Sequence, residues 1–136
     1  MEYISYTKIF NQTVDEFFRE LIDIFPEETK IKVQYTLFQT LIKANAKQPC
    51  IKFMTNSIKY LEKIASRDED FFKSADKPGI LQSMNIEKLW TDDLSPVTKN
   101  AIWRYIQSFF TIGIKVIEMP PETHAIIQYI IDYKSI

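Results

Sequence analysis

The sequence predicts an all-α fold, a single-domain antiparallel bundle of five or six helices that spans residues 1–136. Three observations predict it. Apolar residues recur every three or four positions along almost the whole chain, which is the period of an amphipathic helix. Prolines fall between the apolar stretches, where short connections place successive helices antiparallel. Only two glycines occur, whereas the hairpins of β-sandwiches and barrels need residues with positive φ.

The first two predicted helices cover residues 5–24 and 26–45. We place Pro26 at the first position of the second helix, because proline suits that position and disfavours helix at Phe25. Glu27 and Glu28 would then complement the helix dipole in the first turn. The predicted buried stripes of these helices are Phe10, Val14, Phe17, Leu21 and Ile24 in the first, and Ile31, Tyr35, Phe38 and Ile42 in the second.

In the middle of the chain, the sequence pattern predicts one long helix and one short helix. The long helix covers residues 49–66, and its predicted buried stripe is Ile51, Met54, Ile58, Leu61 and Ala65. Residues 67–84 mix charge, an aromatic pair and a Pro-Gly turn, which is typical of irregular structure. A short helix is expected in "NIEKLW", with Asn85 as its cap.

Two further helices complete the predicted bundle, at residues 96–117 and 121–134. Ser95 followed by Pro96 is a cap followed by a proline at the first helical position. The fifth helix places Ile102, Tyr105, Phe109, Ile112 and Val116 on one face, and the sixth carries Ile126, Ile127, Ile130 and Tyr133. Pro120 and Pro121 separate the two helices.

Several kinds of chemistry lack the residues that they need. His124 is the single histidine and Cys50 the single cysteine, so histidine-rich metal sites, histidine-dependent triads and disulfides have no second member. Two glycines cannot build a phosphate-binding loop, and no apolar run is long enough to span a bilayer. We therefore predict no enzyme activity, no cofactor and no membrane span. Cys50 is expected to pack as a small apolar residue; the alternative is a thiol activated by Lys47 and Lys52 at a helix start.

One stretch of the chain is strongly basic although the whole protein has a formal charge of −1. Residues 30–67 contain eight basic residues and a single acid, Glu62. The candidate residues for binding a polyanion or the backbone of a nucleic acid are Lys43, Lys47, Lys52, Lys59, Lys63 and Arg67. On the third helix, Lys52, Lys59 and Lys63 share one face. A solvated helix face is the alternative interpretation of the same pattern.

The stretch "NAIWRYIQSFF" (100–110) contains the most concentrated aromatic residues of the chain. Its Ile, Tyr and Phe residues suffice for a buried helix face, whereas Trp103 and Arg104 lie off the centre of that face. The Trp-Arg-Tyr group at 103–105 has the composition of an interface hot spot, and the candidate protein-binding residues are Trp90, Trp103 and Arg104. The alternative is intramolecular packing, with Arg104 paired to Asp92 or Asp93.

A resemblance to a known group of proteins is carried by two stretches, which are "FFRELIDIFPEE" (17–28) and "ILQSMNIEKLWTDDLSPVTKNAIWRYIQSFFTIG" (80–113). Together they resemble small uncharacterised proteins encoded by nucleocytoplasmic large DNA viruses of algae and protists. The matching elements are the Phe-Pro-Glu at 25–27, the Leu-Trp at 89–90, Ser95 with Thr98 and Lys99, and the Ile-Trp-Arg-Tyr-Ile-Gln at 102–107. Arg104 stands in place of the usual Lys, Ile106 in place of the usual Leu, and Gln82 where Pro is expected.

The resemblance implies a viral protein of the host cytoplasm or the virion, without a catalytic assignment. Within that setting we expect a structural or interaction protein, which binds a viral or host protein or a second copy of itself through helix surfaces. Polyanion binding by the basic stretch is the second expectation. A third, weaker likeness is to the Bcl-2 family, whose viral members block apoptosis, and it rests on Trp103, Arg104, Phe109, Phe110 and Gly113. Arg104 directly follows Trp103 here, where the Bcl-2 pattern has a glycine between them.

Overall fold

The computed structural model describes residues 5–73, 81, 83–117 and 121–134. Those residues form helices and connecting turns without a strand, which confirms the predicted all-α fold. The helices are α1 (Tyr6–Ile24), α2 (Thr29–Ala44), α3 (Gln48–Ser57), α4 (Leu61–Ala65), α5 (Asp70–Lys73), α6 (Ile86–Leu89), α7 (Pro96–Val116) and α8 (Pro121–Lys134). A 3₁₀ turn, Ile58–Tyr60, joins α3 to α4.

The two longest helices, α1 and α7, form the most extensive helix pair of the described residues. Both begin at a serine cap. The Ser5 hydroxyl accepts a hydrogen bond from the backbone N–H of Lys8 at 3.2 Å, and Ser95 accepts one from Thr98 at 3.1 Å. Pro96 occupies the first position of α7, as the sequence predicts. Each cap satisfies a backbone donor that the helix itself leaves unpaired.

Contacts between side chains give the helix directions. The ring centroids of Phe10 and Phe109 are 5.7 Å apart, and those of Phe17 and Tyr105 are 5.4 Å apart. Residue numbers therefore rise along α1 while they fall along α7, so the two helices are antiparallel. The same holds for α3 and α7, because Cys50 contacts Gly113 whereas Phe53 packs on Phe109.

The connection between α1 and α2 differs from the prediction. Helix α2 begins at Thr29 rather than at Pro26, which lies in a turn. In that turn the N–H of Phe25 donates to the carbonyl of Leu21, and the N–H of Glu28 donates to the carbonyl of Phe25. Glu28 thus precedes the helix, and its carboxylate lies 3.3 Å from the ammonium of Lys88. The tertiary partner and the hydrogen-bonded turn override the local preference of proline for a helix start.

The third predicted helix is interrupted, and its predicted buried stripe is confirmed at Met54, Leu61 and Ala65 but wrong at Ile51 and Ile58. Ile51 and Ile58 are each 40% exposed, whereas the buried residues of α3 are Cys50, Phe53, Met54 and Ser57. A Cβ added to Gly113 would lie 2.6 Å from the Met54 sulfur. The missing side chain of Gly113 lets α3 approach α7 closely with its Cys50–Met54 face. The 3₁₀ turn after Ser57 then redirects the chain into α4.

Aromatic residues fill the core in two groups. The phenylalanine cluster, defined as Phe10, Phe17, Phe53 and Phe109, lies between α1, α3 and the C-terminal half of α7. The tryptophan cluster, defined as Phe71, Phe72, Trp90 and Trp103, joins α5 and α6 to the N-terminal half of α7. Both groups belong to one continuous hydrophobic core.

Candidate functional site

The two tryptophans predicted as interface residues lie inside the protein. Trp90 is 5% exposed and Trp103 is 4% exposed. Phe72 stacks on Trp90 with ring centroids 4.0 Å apart and packs edge-on against Trp103 at 4.6 Å. Phe72 belongs to α5, which lies within residues 67–84, the segment predicted to be irregular, whereas α6 directly precedes Trp90 and is the short helix predicted there. The predicted interface at Trp90 and Trp103 is therefore not presented to solvent.

Arg104 is exposed, and the pairing expected for it is not formed. None of the ion pairs among the described residues joins Arg104 to Asp92 or Asp93. A lysine caps the tryptophan cluster instead: the Lys99 ammonium lies 5.3 Å from the centroid of the Trp90 ring and 3.1 Å from a carboxylate oxygen of Glu69. Of the five residues in the Bcl-2-like pattern, Arg104 alone is exposed.

Cys50 is a buried core residue rather than an activated thiol. Its side chain has no exposed surface, and burial raises the pKa of the thiol from 9.0 to about 11. The sulfur lies 3.9 Å from the carbonyl oxygen of Gly113. The alternative of a lowered pKa beside Lys47 and Lys52 is wrong, because desolvation disfavours the thiolate. The side chain of His124 lies outside the described residues.

Arg67 differs from the other five basic residues predicted to bind polyanions. It adopts a left-handed backbone conformation with φ of 56°. Its guanidinium donates to Asn100 Oδ1 at 2.6 Å and to Gln107 Oε1 at 3.3 Å, and Gln107 in turn donates to the carbonyl of Ile64 at 3.0 Å. The side chain of Arg67 therefore links the turn after α4 to α7.

The five lysines of the predicted basic face are exposed, but they do not follow one line. Lys43 ends α2, Lys47 precedes α3, and Lys52, Lys59 and Lys63 are spread over α3, the 3₁₀ turn and α4. Each residue of a 3₁₀ helix rotates the chain about the helix axis by more than a residue of an α-helix does. The three residues of the 3₁₀ turn therefore rotate the positions that follow by roughly 60° relative to a continuous α-helix. Lys52 and Lys63 consequently point in more divergent directions than the single helix of the prediction implies.

The α2–α3 face, defined here as the exposed surface of residues 29–61, is basic throughout. This range contains six lysines, all exposed, and no acidic residue. Large apolar side chains are exposed between them: Val33 is 54% and Leu37 is 56% exposed on α2. Val33 and Leu37 are four residues apart and so lie on the same side of the helix.

A cavity of about 470 Å³ opens beside this face, between α1, α2, α3 and α7. The buried residues that line it, taken here as its floor, are Phe10, Val14, Phe17, Phe38, Phe53, Leu81, Ile106 and Phe109. Its exposed rim includes Leu37, Lys52, Asn56 and Ser83. Among the described residues that line it, Lys52 alone is charged. An apolar pocket of this size with a few polar groups is the usual form of a small-molecule site.

Sequence reasoning missed this cavity because its floor residues satisfy the pattern of an ordinary core. Phe10, Phe17 and Phe109 all belong to the predicted buried stripes. One signal was available: Leu37 and Leu41 are apolar residues off the predicted stripe of the second helix, and both line the cavity. Apolar residues off the buried stripe indicate a second apolar contact, which here faces the cavity.

Comparisons with protein-family models, with curated proteins and with solved structures find no match to this chain. Within the described residues, no helix has both the length and the apolar character that crossing a bilayer requires. The same residues contain no group of three or more His, Cys, Asp or Glu side chains that could hold a metal ion.

Proposed function

We propose that this protein acts without catalysis, by binding an acidic protein partner through the helix surfaces of the α2–α3 face. The observation that carries the proposal is the coincidence of six exposed lysines, no acid, and four exposed large apolar side chains within residues 29–61, which are Val33, Leu37, Ile51 and Ile58. An apolar centre with a charged surround is the usual anatomy of a protein interface. The uniform sign of the charge favours an acidic partner and accelerates its association.

A matched pair of valines tests this proposal. Val33, at 54% exposure, belongs to the α2–α3 face, whereas Val97, at 80% exposure, lies at the start of α7. A partner is first captured and identified by mass spectrometry, and its affinity is then measured with purified components. Val33→Asp is expected to weaken binding at least about tenfold, since it places an acid and removes apolar contact at the interface centre. Val97→Asp is expected to leave the affinity unchanged.

Two outcomes would contradict the proposed binding of an acidic partner at the α2–α3 face. Equal affinities of the Val33→Asp and Val97→Asp variants would place the partner on another surface. A partner that is basic rather than acidic would contradict the charge argument.

The viral setting of this function rests on the resemblance carried by residues 17–28 and 80–113. We propose a place in the virion or the replication factory of a large DNA virus. Mass spectrometry of purified virions and of affinity-purified complexes from infected cells tests this setting. Absence of the protein from both preparations would contradict it.

Polyanion binding is the second candidate function, and the exposure of Lys43, Lys47, Lys52 and Lys63 favours it. None of the ion pairs among the described residues involves these four lysines. The double variant Lys52→Glu, Lys59→Glu is expected to lose retention on heparin and on DNA at low salt, because each lysine that contacts phosphate releases counterions. Lys8→Glu with Lys73→Glu, two exposed lysines elsewhere, makes the same change of net charge. Equal losses in both doubles would indicate net charge alone, and no loss in either would exclude this function.

A further inference from the structure

The cavity beside the α2–α3 face combines a deep apolar floor with a single charged group at its mouth. We propose that it binds a free carboxylate amphiphile of the fatty-acid class, with the alkyl chain on the phenylalanine cluster and the carboxylate at the ammonium of Lys52. The cavity shares Leu37 and Lys52 with the α2–α3 face, but Val33, whose substitution tests the proposed protein-binding function, does not line it.

The size and shape of the cavity suit an alkyl chain. A cavity of about 150 Å³ lined by apolar side chains accepts a benzene ring, and the volume here is about 470 Å³. On α1 the lining residues run from Phe10 to Phe17, and on α3 from Pro49 to Asn56. Seven residues of helix span about 10 Å, so the lining extends over about two turns of each of these helices.

The chemistry changes from the floor to the rim. Phe10, Phe17 and Phe109 are buried and offer no polar side-chain atom, whereas Lys52 and Asn56 are exposed. Burial of an alkyl chain on such a floor gains free energy for every methylene removed from water. An ammonium and a side-chain amide one turn apart on α3 can each donate to a carboxylate oxygen at the mouth.

The charge around the mouth selects the sign of the headgroup. Residues 29–61, which supply two of the four walls, contain six lysines and no acid. A cationic headgroup would meet repulsion there, and a neutral one would leave Lys52 without a charged partner. An anionic headgroup is the one that these residues favour.

Titration calorimetry with decanoate, decanol and decylamine tests the proposal on the intact chain, because the three molecules share one alkyl chain and differ in headgroup charge. We expect decanoate to saturate one site per chain and to bind about threefold to tenfold more tightly than decanol, with decylamine weakest. Lys52→Gln is expected to remove the preference for decanoate. Lys43→Gln, the same change at an exposed lysine that does not line the cavity, is expected to keep it.

A second pair of variants tests the cavity itself. Asn56→Trp places a large side chain at the rim and is expected to weaken decanoate and decanol alike. Thr55→Trp, at the neighbouring exposed position outside the cavity, is expected to weaken neither. Both positions are exposed, so neither variant disturbs the core. The proposal is overturned by absence of saturable binding, by equal affinities for the three headgroups, or by equal responses within either variant pair.

Discussion

The tryptophan cluster and the phenylalanine cluster use the same kinds of residue and pack against the same helix, α7, but they differ in how they are closed. Phe72 has no exposed surface, and Lys99 covers the ring of Trp90 from outside. The phenylalanine cluster instead forms the floor of a cavity of about 470 Å³ whose rim carries exposed residues. Aromatic density in the sequence therefore does not distinguish a binding surface from a core.

The difference in exposure is the opposite of the one that the sequence suggests for these residues. Trp90 and Trp103 are predicted interface residues, and they are interior residues. Phe10, Phe17 and Phe109 have the spacing of an ordinary core, and they line the cavity. Helices α5 and α6 cover the tryptophan cluster. Whether a cluster is open therefore depends on the elements that cover it.

The largest effect is expected from truncating one phenylalanine in each cluster. Phe72→Ala should lower the free energy of unfolding by about 3–5 kcal/mol, because it leaves a closed void among rings that cannot follow. Phe53→Ala should cost at least about 1 kcal/mol less, since the Phe53 ring already borders the cavity. Urea denaturation at neutral pH measures both values. Equal losses would mean that the two clusters are equally closed.

A smaller effect is expected where α3 crosses α7 at Gly113. Gly113→Ala should cost about 1–3 kcal/mol, because the new Cβ would lie 2.6 Å from the sulfur of Met54. Met54 is flexible, and shortening it should relieve the contact, so the double variant with Met54→Ala should lose less than the sum of the single losses. Strict additivity would contradict the contact.

The two tryptophans of the chain report whether this disturbance stays local. Both belong to the tryptophan cluster, so their fluorescence emission senses that cluster alone. Gly113→Ala should leave the emission maximum unchanged while it alters the affinity for decanoate. A shifted maximum would mean that the clusters respond as one unit.

The smallest effect is expected from the ionisation of Cys50. Its pKa is raised from 9.0 to about 11 by burial, so the native state keeps a thiol proton that the unfolded chain loses between those values. Stability therefore falls as the pH rises through this window, and the contribution at pH 10 is about 1 kcal/mol. Denaturation of the wild type and of Cys50→Ala at pH 7 and at pH 10 measures it. The loss between the two pH values should be smaller in Cys50→Ala; equal losses would contradict the burial of this thiol.

The sequence predicts most helices because their signals are local. Helix α1 ends at Ile24 and α8 covers Pro121–Lys134, as predicted, and α7 ends at Val116, one residue before the prediction. Serine caps, prolines and apolar periodicity specify these elements within a few residues of themselves. The errors occur where contacts outside the helix compete with its local signals, as at Pro26, which is predicted to begin the second helix but lies in the turn before Thr29.

The candidate sites were less predictable for the same reason. Six lysines without an acid in residues 29–61 are visible in the sequence, and so is the absence of paired histidines or cysteines. That Arg67 bonds to Asn100 and Gln107, rather than to solvent or a ligand, depends on contacts more than thirty positions apart.

By itself, the sequence determined that this protein is all-α, where α1, α7 and α8 begin and end to within a residue, and which stretch is basic, because these properties depend on neighbouring residues. The tertiary structure alone decided which aromatic residues are closed off and which line a cavity. Exposure is a property of the elements that pack over a residue, and α3 turned its Cys50–Met54 face inward only because Gly113 on α7 lets it approach.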